Sequence, residues 1–103
     1  MKRGEVFWAE HPEWGRRPAV VMTRDAAIGA LNEVLVVLAT TTIRDLPTEV
    51  RLGTEDVMPR ECVLNLDHVD TVAKGFLGER ITTLSAEKLH SVCRALNVAT
   101  GCG

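Results

Sequence analysis

Apolar positions along the chain fall in short blocks separated by polar stretches that carry Pro and Gly, the pattern of a small β-rich protein. Gly4 to Ala9 is apolar and aromatic and predicts a first strand. Glu10 to Arg17 is polar, contains Pro12 and Gly15, and predicts a loop. Pro18 to Thr23 predicts a second strand. Arg24 to Leu31 is Ala-rich and suits one or two turns of helix. Glu33 to Thr41 is the strongest strand signal in the chain, a nearly continuous apolar run that predicts burial on both faces. Pro47 to Leu52 alternates, with Thr48, Val50 and Leu52 on one face, and its leading proline suits an edge position or a strand start. Gly53 to Arg60 predicts a loop and Cys62 to Leu66 a strand. Asp67 to Gly78 is ambiguous, because Val69 and Val72 are apolar but Lys74-Gly75 interrupts them. Arg80 to Leu84 predicts a last strand.

The period changes after residue 84. Leu89, Val92, Cys93 and Leu96 follow helical spacing, with Ser85 as N-cap, Glu87 favoured in the first turn, and Gly101 as the stop. Lys88 stands where a full capping box would place a Glu. Six short strands and one C-terminal helix predict an α+β protein, mainly β. Its sheet should be a strongly curved antiparallel one or a partial barrel, with the helix packed against it.

Composition narrows the class. A chain of 103 residues, with 46% hydrophobic and 25% charged residues, predicts one globular domain over 1–103 rather than disorder. The formal net charge of −2 does not supply a basic field, so a polyanionic partner would have to be met by a local arginine cluster. Cys62, Cys93 and Cys102 are odd in number and form no CxxC, which predicts reduced thiols. With no apolar leader at the N-terminus and no run long enough to cross a bilayer, the expectation is a cytoplasmic protein that does not engage membranes.

The candidate chemistry centres on Gly15-Arg16-Arg17-Pro18-Ala19-Val20-Val21-Met22. Pro18 fixes its own φ and holds Arg17 extended, so Arg17 should sit at the mouth of a strand with its side chain aimed by a rigid element. A guanidinium is a permanent charge with a planar fork of donors that matches a phosphate.

These residues belong to an ordered set. Lys2-Arg3-Gly4-Glu5 precedes the first strand, and Arg17-Pro18-Ala19-Val20-Val21 begins the second. Val36-Val37-Leu38-Ala39-Thr40-Thr41-Thr42 ends the third, followed by Leu46-Pro47-Thr48-Glu49-Val50 and by Ile81-Thr82-Thr83-Leu84-Ser85 ahead of the helix. Over almost the whole chain the set resembles the MazF/PemK (Kid-like) toxins of bacterial type II toxin–antitoxin systems. The resemblance implies an SH3-like small barrel, a homodimer, and a sequence-specific endoribonuclease that needs no metal or other cofactor. It implies single-stranded RNA as substrate and a cognate MazE-like antitoxin as inhibitor. It places the catalytic arginine on Arg17 and the catalytic threonine on Thr40, with Thr41 as fallback because three threonines are consecutive. The loop before Arg17 is shorter here than in much of the family, which leaves substrate specificity outside the carry-over.

Such an enzyme lets the RNA 2′-hydroxyl attack the adjacent phosphorus, leaving a 2′,3′-cyclic phosphate and a 5′-hydroxyl. Arg17 suits charge stabilisation at the phosphorane, and Thr40 offers a second donor. Neither accepts a proton readily, since a guanidinium stays protonated. His11 and Glu13 are the alternatives the sequence offers for that role, both being in the loop that leads to Arg17; an exposed loop position is the plainer account of His11. Trp14 would either stack on an extruded base or cover the barrel end. Arg16 reads as a phosphate contact, and Thr41, Glu13 and His11 are expected with it and Trp14 among the substrate-binding residues. Asn65 and Asp67 fall near bases in the resemblance, without a catalytic role. His68 reads as structural and His90 as helix surface. Two other functions fit a small barrel: a CcdB-like gyrase poison, and a non-catalytic binding module. The tail Thr100-Gly101-Cys102-Gly103 carries no aromatic or charged anchor for the first of these.

Overall fold

A computed structural model describes residues 1–102. Six strands form one antiparallel sheet: β1 (Glu5–His11), β2 (Gly15–Val21), β3 (Glu33–Thr40), β4 (Glu49–Leu52), β5 (Cys62–Ala73) and β6 (Leu77–Thr83). Their order is β4-β5-β3-β2-β1-β6, so β4 and β6 are the edges and the barrel is open. A short helix α1 (Asp25–Ile28) joins β2 to β3, and α2 (Ala86–Thr100) follows β6.

The elements follow the hydrophobic pattern, with three differences. The Glu10 to Arg17 loop is instead a tight hairpin, with Glu10 opposite Arg16 and His11 opposite Gly15, so only Pro12 to Trp14 turn. Gly15 makes the return possible with φ 78, a left-handed conformation open to glycine. Arg17 therefore lies within β2 rather than at its start, opposite Ala9. The ambiguous stretch after Asp67 continues β5 to Ala73, because Val69 and Val72 pair with Val37 and Val34 of the central strand. Lys74–Phe76 makes a single 3-10 turn, and β6 begins at Leu77, earlier than its apolar content signals.

Alternation along the strands puts apolar side chains on both faces of the sheet. Val20, Val37, Leu64 and Leu66 face α2, where Val92 and Ala95 meet them together with Leu84 and Leu52. Ala9, Ala19, Val34, Val36 and Val72 form a smaller cluster on the other face, covered by Trp14, Leu38 and Leu77. Burying a Leu or Val side chain fully is worth about 1.5–3 kcal/mol, so the central strands carry most of the fold.

The helix is seated at both ends. The Ser85 hydroxyl accepts from the Lys88 N–H at 3.1 Å, and Gly101 closes the C-terminus with φ 68. Lys88 then reaches back, donating to the Arg51 carbonyl at 3.0 Å and lying 3.5 Å from the Asp56 carboxylate. Gly4, at φ 89, lets the chain pass under the helix, since a Cβ there would stand 3.1 Å from Leu89 Cδ2.

Candidate active site

Arg17 lies where two strand ladders give out. The β2–β3 ladder ends at Ala19 opposite Leu38. Continued in the same register, it would set Pro18 against Ala39 and Arg17 against Thr40. Pro18 has no N–H to donate, so the Ala39 carbonyl is left open on that side. The Arg17 side chain takes it, donating from Nε at 3.0 Å and from Nη2 at 2.8 Å. Two of its five N–H bonds are used this way, and three remain to meet a ligand. The guanidinium is thus fixed in place by main chain and keeps its charge available.

Two clefts meet at Arg17 and Thr40. The first, of about 520 Å³, has Leu38, Thr42, Arg44, Asn65, Asp67, His68, Val69 and Asp70 as its other walls. The second, of about 470 Å³, runs past Trp8, Arg16, Pro18, Thr41, Met58, Arg60 and Cys62. It holds three arginines and no carboxylate, the electrostatics of a phosphate-backbone track. The first is mixed, with two arginines facing two aspartates.

The first cleft owes its shape to β5. Val37 pairs with Val69, but Ala39 pairs with Leu64, so Leu38 alone stands opposite the four residues Asn65, Leu66, Asp67 and His68. A bulge of this kind bends the strand and re-aims its side chains. Neighbouring residues Asp67 and His68 both line the cleft, which regular alternation would forbid. Thr48, just before β4, braces the bulge: its carbonyl accepts from Leu66 N–H at 2.8 Å and its hydroxyl donates to Asp67 at 2.7 Å. Asn65 Oδ1 accepts from the Asp67 N–H at 2.9 Å. The Glu49 carboxylate accepts from the Arg44 and Leu46 N–H groups, at 3.1 and 3.3 Å, and so holds the loop that brings Arg44 to the cleft wall.

The three threonines diverge. Thr40 lines both clefts beside Arg17, Thr41 only the basic one, and Thr42 only the mixed one. The Thr40 hydroxyl oxygen accepts from the Thr42 N–H at 3.2 Å, which leaves its own hydrogen to donate.

The structure brings Arg16, Arg17, Thr40 and Thr41 together and leaves His11, Glu13 and Trp14 apart. His11 stacks on Trp14 with ring centroids 4.9 Å apart, and its Nδ1 accepts from the Glu13 N–H at 3.1 Å. Trp14 packs on the smaller apolar cluster, and none of the three lines the Arg17 clefts. Arg16 lies over the Trp8 ring at 4.0 Å and pairs with Glu10 at 3.4 Å. Trp8 and Arg60 line the basic cleft without having been singled out in the sequence, and His68, read there as structural, lines the mixed one. The hairpin register would have revealed Trp8, whose pair with Pro18 stands two pairs along from Glu10–Arg16 and so on the same face. Nothing local signals His68, because the bulge that exposes it is set by pairing with β3. Burial, together with Glu61 and Asp56, pushes the Cys62 thiol up, so Cys62 remains protonated in the basic cleft. Among the described residues no cluster of His, Cys, Asp or Glu is arranged to hold a metal ion. No helix of the described residues is long and apolar enough to cross a membrane.

A family described as PemK-like, MazF-like toxin of type II toxin–antitoxin systems matches residues 2–100. The chain is 46% identical over 101 residues to a Mycobacterium tuberculosis protein named "Probable endoribonuclease MazF5", covering 97% of this chain and 93% of that one. It is 40% identical over 103 residues to another from the same species, "Probable endoribonuclease MazF2", covering 99% and 100%. Among solved structures, it superposes with TM-score 0.90 and 26% identity on an endoribonuclease in complex with its cognate antitoxin from a mycobacterial species, covering 100% of this chain and 97% of that one. The M. tuberculosis toxin MazF-mt6 gives a TM-score of 0.87 at 26% identity, covering 96% and 98%.

Proposed function

The chain belongs to the PemK-like, MazF-like toxins of type II toxin–antitoxin systems, and we propose on that ground that it is an endoribonuclease cutting single-stranded RNA, with Arg17 and Thr40 as its catalytic pair. The observation that carries the reading is the fixed guanidinium beside a strand-end hydroxyl, where a purely basic cleft meets a mixed one.

RNA lies along the basic cleft with its phosphates against Arg16, Arg60 and Arg17, and a base can stack where Trp8 and Arg16 already form a flat face. Thr41 contacts the strand from the same wall. At the junction the 2′-hydroxyl attacks its own 3′-phosphate, and the O2′–P bond forms as the P–O5′ bond breaks. Charge grows on the non-bridging oxygens, where the free N–H groups of Arg17 and the hydroxyl of Thr40 meet it. Both donors are in position before reaction, so no reorganisation is required at that moment. The His11–Trp14 hairpin borders the far side of Arg16, so His11, Glu13 and Trp14 can meet only RNA that extends beyond it. The whole chain acts as one toxin domain in the cytoplasm. It works as a homodimer, and the antitoxin silences it by covering the same clefts.

The test is direct. Purified protein incubated with an in vitro transcribed mRNA in EDTA should yield fragments with 2′,3′-cyclic phosphate and 5′-hydroxyl ends. Arg17→Ala should retain its melting temperature and lose cleavage by at least the 10²–10³-fold that removal of one such donor costs. Full cleavage by a folded Arg17→Ala protein would remove Arg17 from the site.

A further inference from the structure

The pair Arg17 and Thr40 leaves one task undone: neither removes the proton from the attacking 2′-hydroxyl. We propose that His68, the last residue of the β5 bulge, is the proton acceptor of the reaction. The inference rests on the ribonuclease reading of the same site.

His68 shares the mixed cleft with Arg17 and Thr40. It is there because four residues of β5 are set opposite Leu38, and the Thr48 and Asn65 bonds hold the bulge from behind. The brace engages Asp67 and leaves His68 exposed, with no side-chain hydrogen bond or ion pair among the described residues.

The other groups facing the cleft are poorly suited. Arg17 and Arg44 stay protonated, and Asn65 and the threonines do not titrate. One Asp67 oxygen is tied to Thr48, and one Asp70 oxygen accepts from the Thr71 N–H at 2.8 Å. A carboxylate is also a weak base, since it ordinarily gives up its proton near pH 4. The imidazole is the side chain whose protonation changes near neutral pH. Asp67 and Asp70 flank it, and Arg17 and Arg44 are the cations that share the cleft with it.

The step balances without a further reagent except solvent. Neutral His68 takes the 2′-hydroxyl proton as O2′ bonds to phosphorus. The 5′-oxygen leaves with the electron pair of the P–O5′ bond and is protonated by water in the open cleft, and the imidazolium then returns its proton to solvent.

The experiment uses a short oligonucleotide spanning one cleavage site mapped with the wild-type enzyme. His68→Gln retains a hydrogen-bonding side chain that does not titrate, and exposure of the site keeps the fold, checked by melting. The expected result is a fall in kcat of about 10²-fold or more, the usual weight of a general base. KM should change little, and binding of an uncleavable 2′-deoxy-substituted oligonucleotide should be unchanged. The acidic limb of the wild-type pH–rate profile should vanish, and added imidazole should restore part of the activity of His68→Ala. A His68→Gln enzyme that retains its kcat and acidic limb overturns the proposal, as does one that loses only affinity. If the wild type itself cuts no RNA, the ribonuclease reading fails, which the variant arms cannot mimic.

Discussion

Arg17 commits its Nε and Nη2 to the carbonyl of Ala39, so its usefulness depends on the fork and not only on the charge. Lysine would preserve the charge but, as a compact ammonium, could not span the carbonyl and a phosphate in the same geometry. Arg17→Lys should therefore fold normally and lose about 10²-fold in kcat, measured by oligonucleotide cleavage beside a thermal melt. The Arg-Pro dipeptide marked this residue because proline constrains its neighbour. The proline has a second effect that no local reading shows: by lacking an N–H it ends the β2–β3 ladder and frees the carbonyl that Arg17 takes. Thr40, Thr41 and Thr42 are chemically equal in the sequence and differ only in which cleft wall each joins.

Among the elements, the helix was the most legible. Its apolar stripe, serine cap and terminal glycine are all local signals, and Ser85 and Gly101 stand at the ends they mark. Ser85→Ala removes the acceptor of the Lys88 N–H and should cost about 1 kcal/mol. For a domain of this size that is a drop in Tm of roughly 4–8 °C, read in a calorimetric or circular-dichroism melt. Strand β5 was the least legible. Its second half is polar outside Val69, Val72 and the terminal Ala73, so periodicity alone stops it at Leu66. It continues because β3 offers pairing partners as far as Ala73, which stands opposite Glu33. The bulge between Leu64 and Val69 belongs to that pairing, and with it the cleft wall of Asn65, Asp67 and His68.

For the molecule as a whole, a net charge of −2 coexists with a cleft lined by Arg16, Arg17 and Arg60 and no carboxylate. RNA binding should accordingly be local and salt-dependent. Each phosphate contact on a single strand adds about 0.7 to the slope of log K against log salt. Arg60→Ala should weaken binding similarly for different RNA sequences and reduce that slope by about 0.7, measured by fluorescence anisotropy of a 2′-deoxy-substituted oligonucleotide across a salt series. An unchanged slope would take Arg60 off the RNA path.

Strand and helix identities, the capped C-terminal helix and the prominence of Arg17 are properties of local chemistry: periodicity, proline, glycine and a hydroxyl cap act over a few residues. The order of the set was enough to point to the family. The meeting of Arg17 with Thr40, the separation of His11 and Trp14 from them, and the arrival of His68 in the cleft depend on strand register. Register is decided by which ladders pair across the whole sheet, where residues 17, 40 and 68 become neighbours only after β2, β3 and β5 lie side by side.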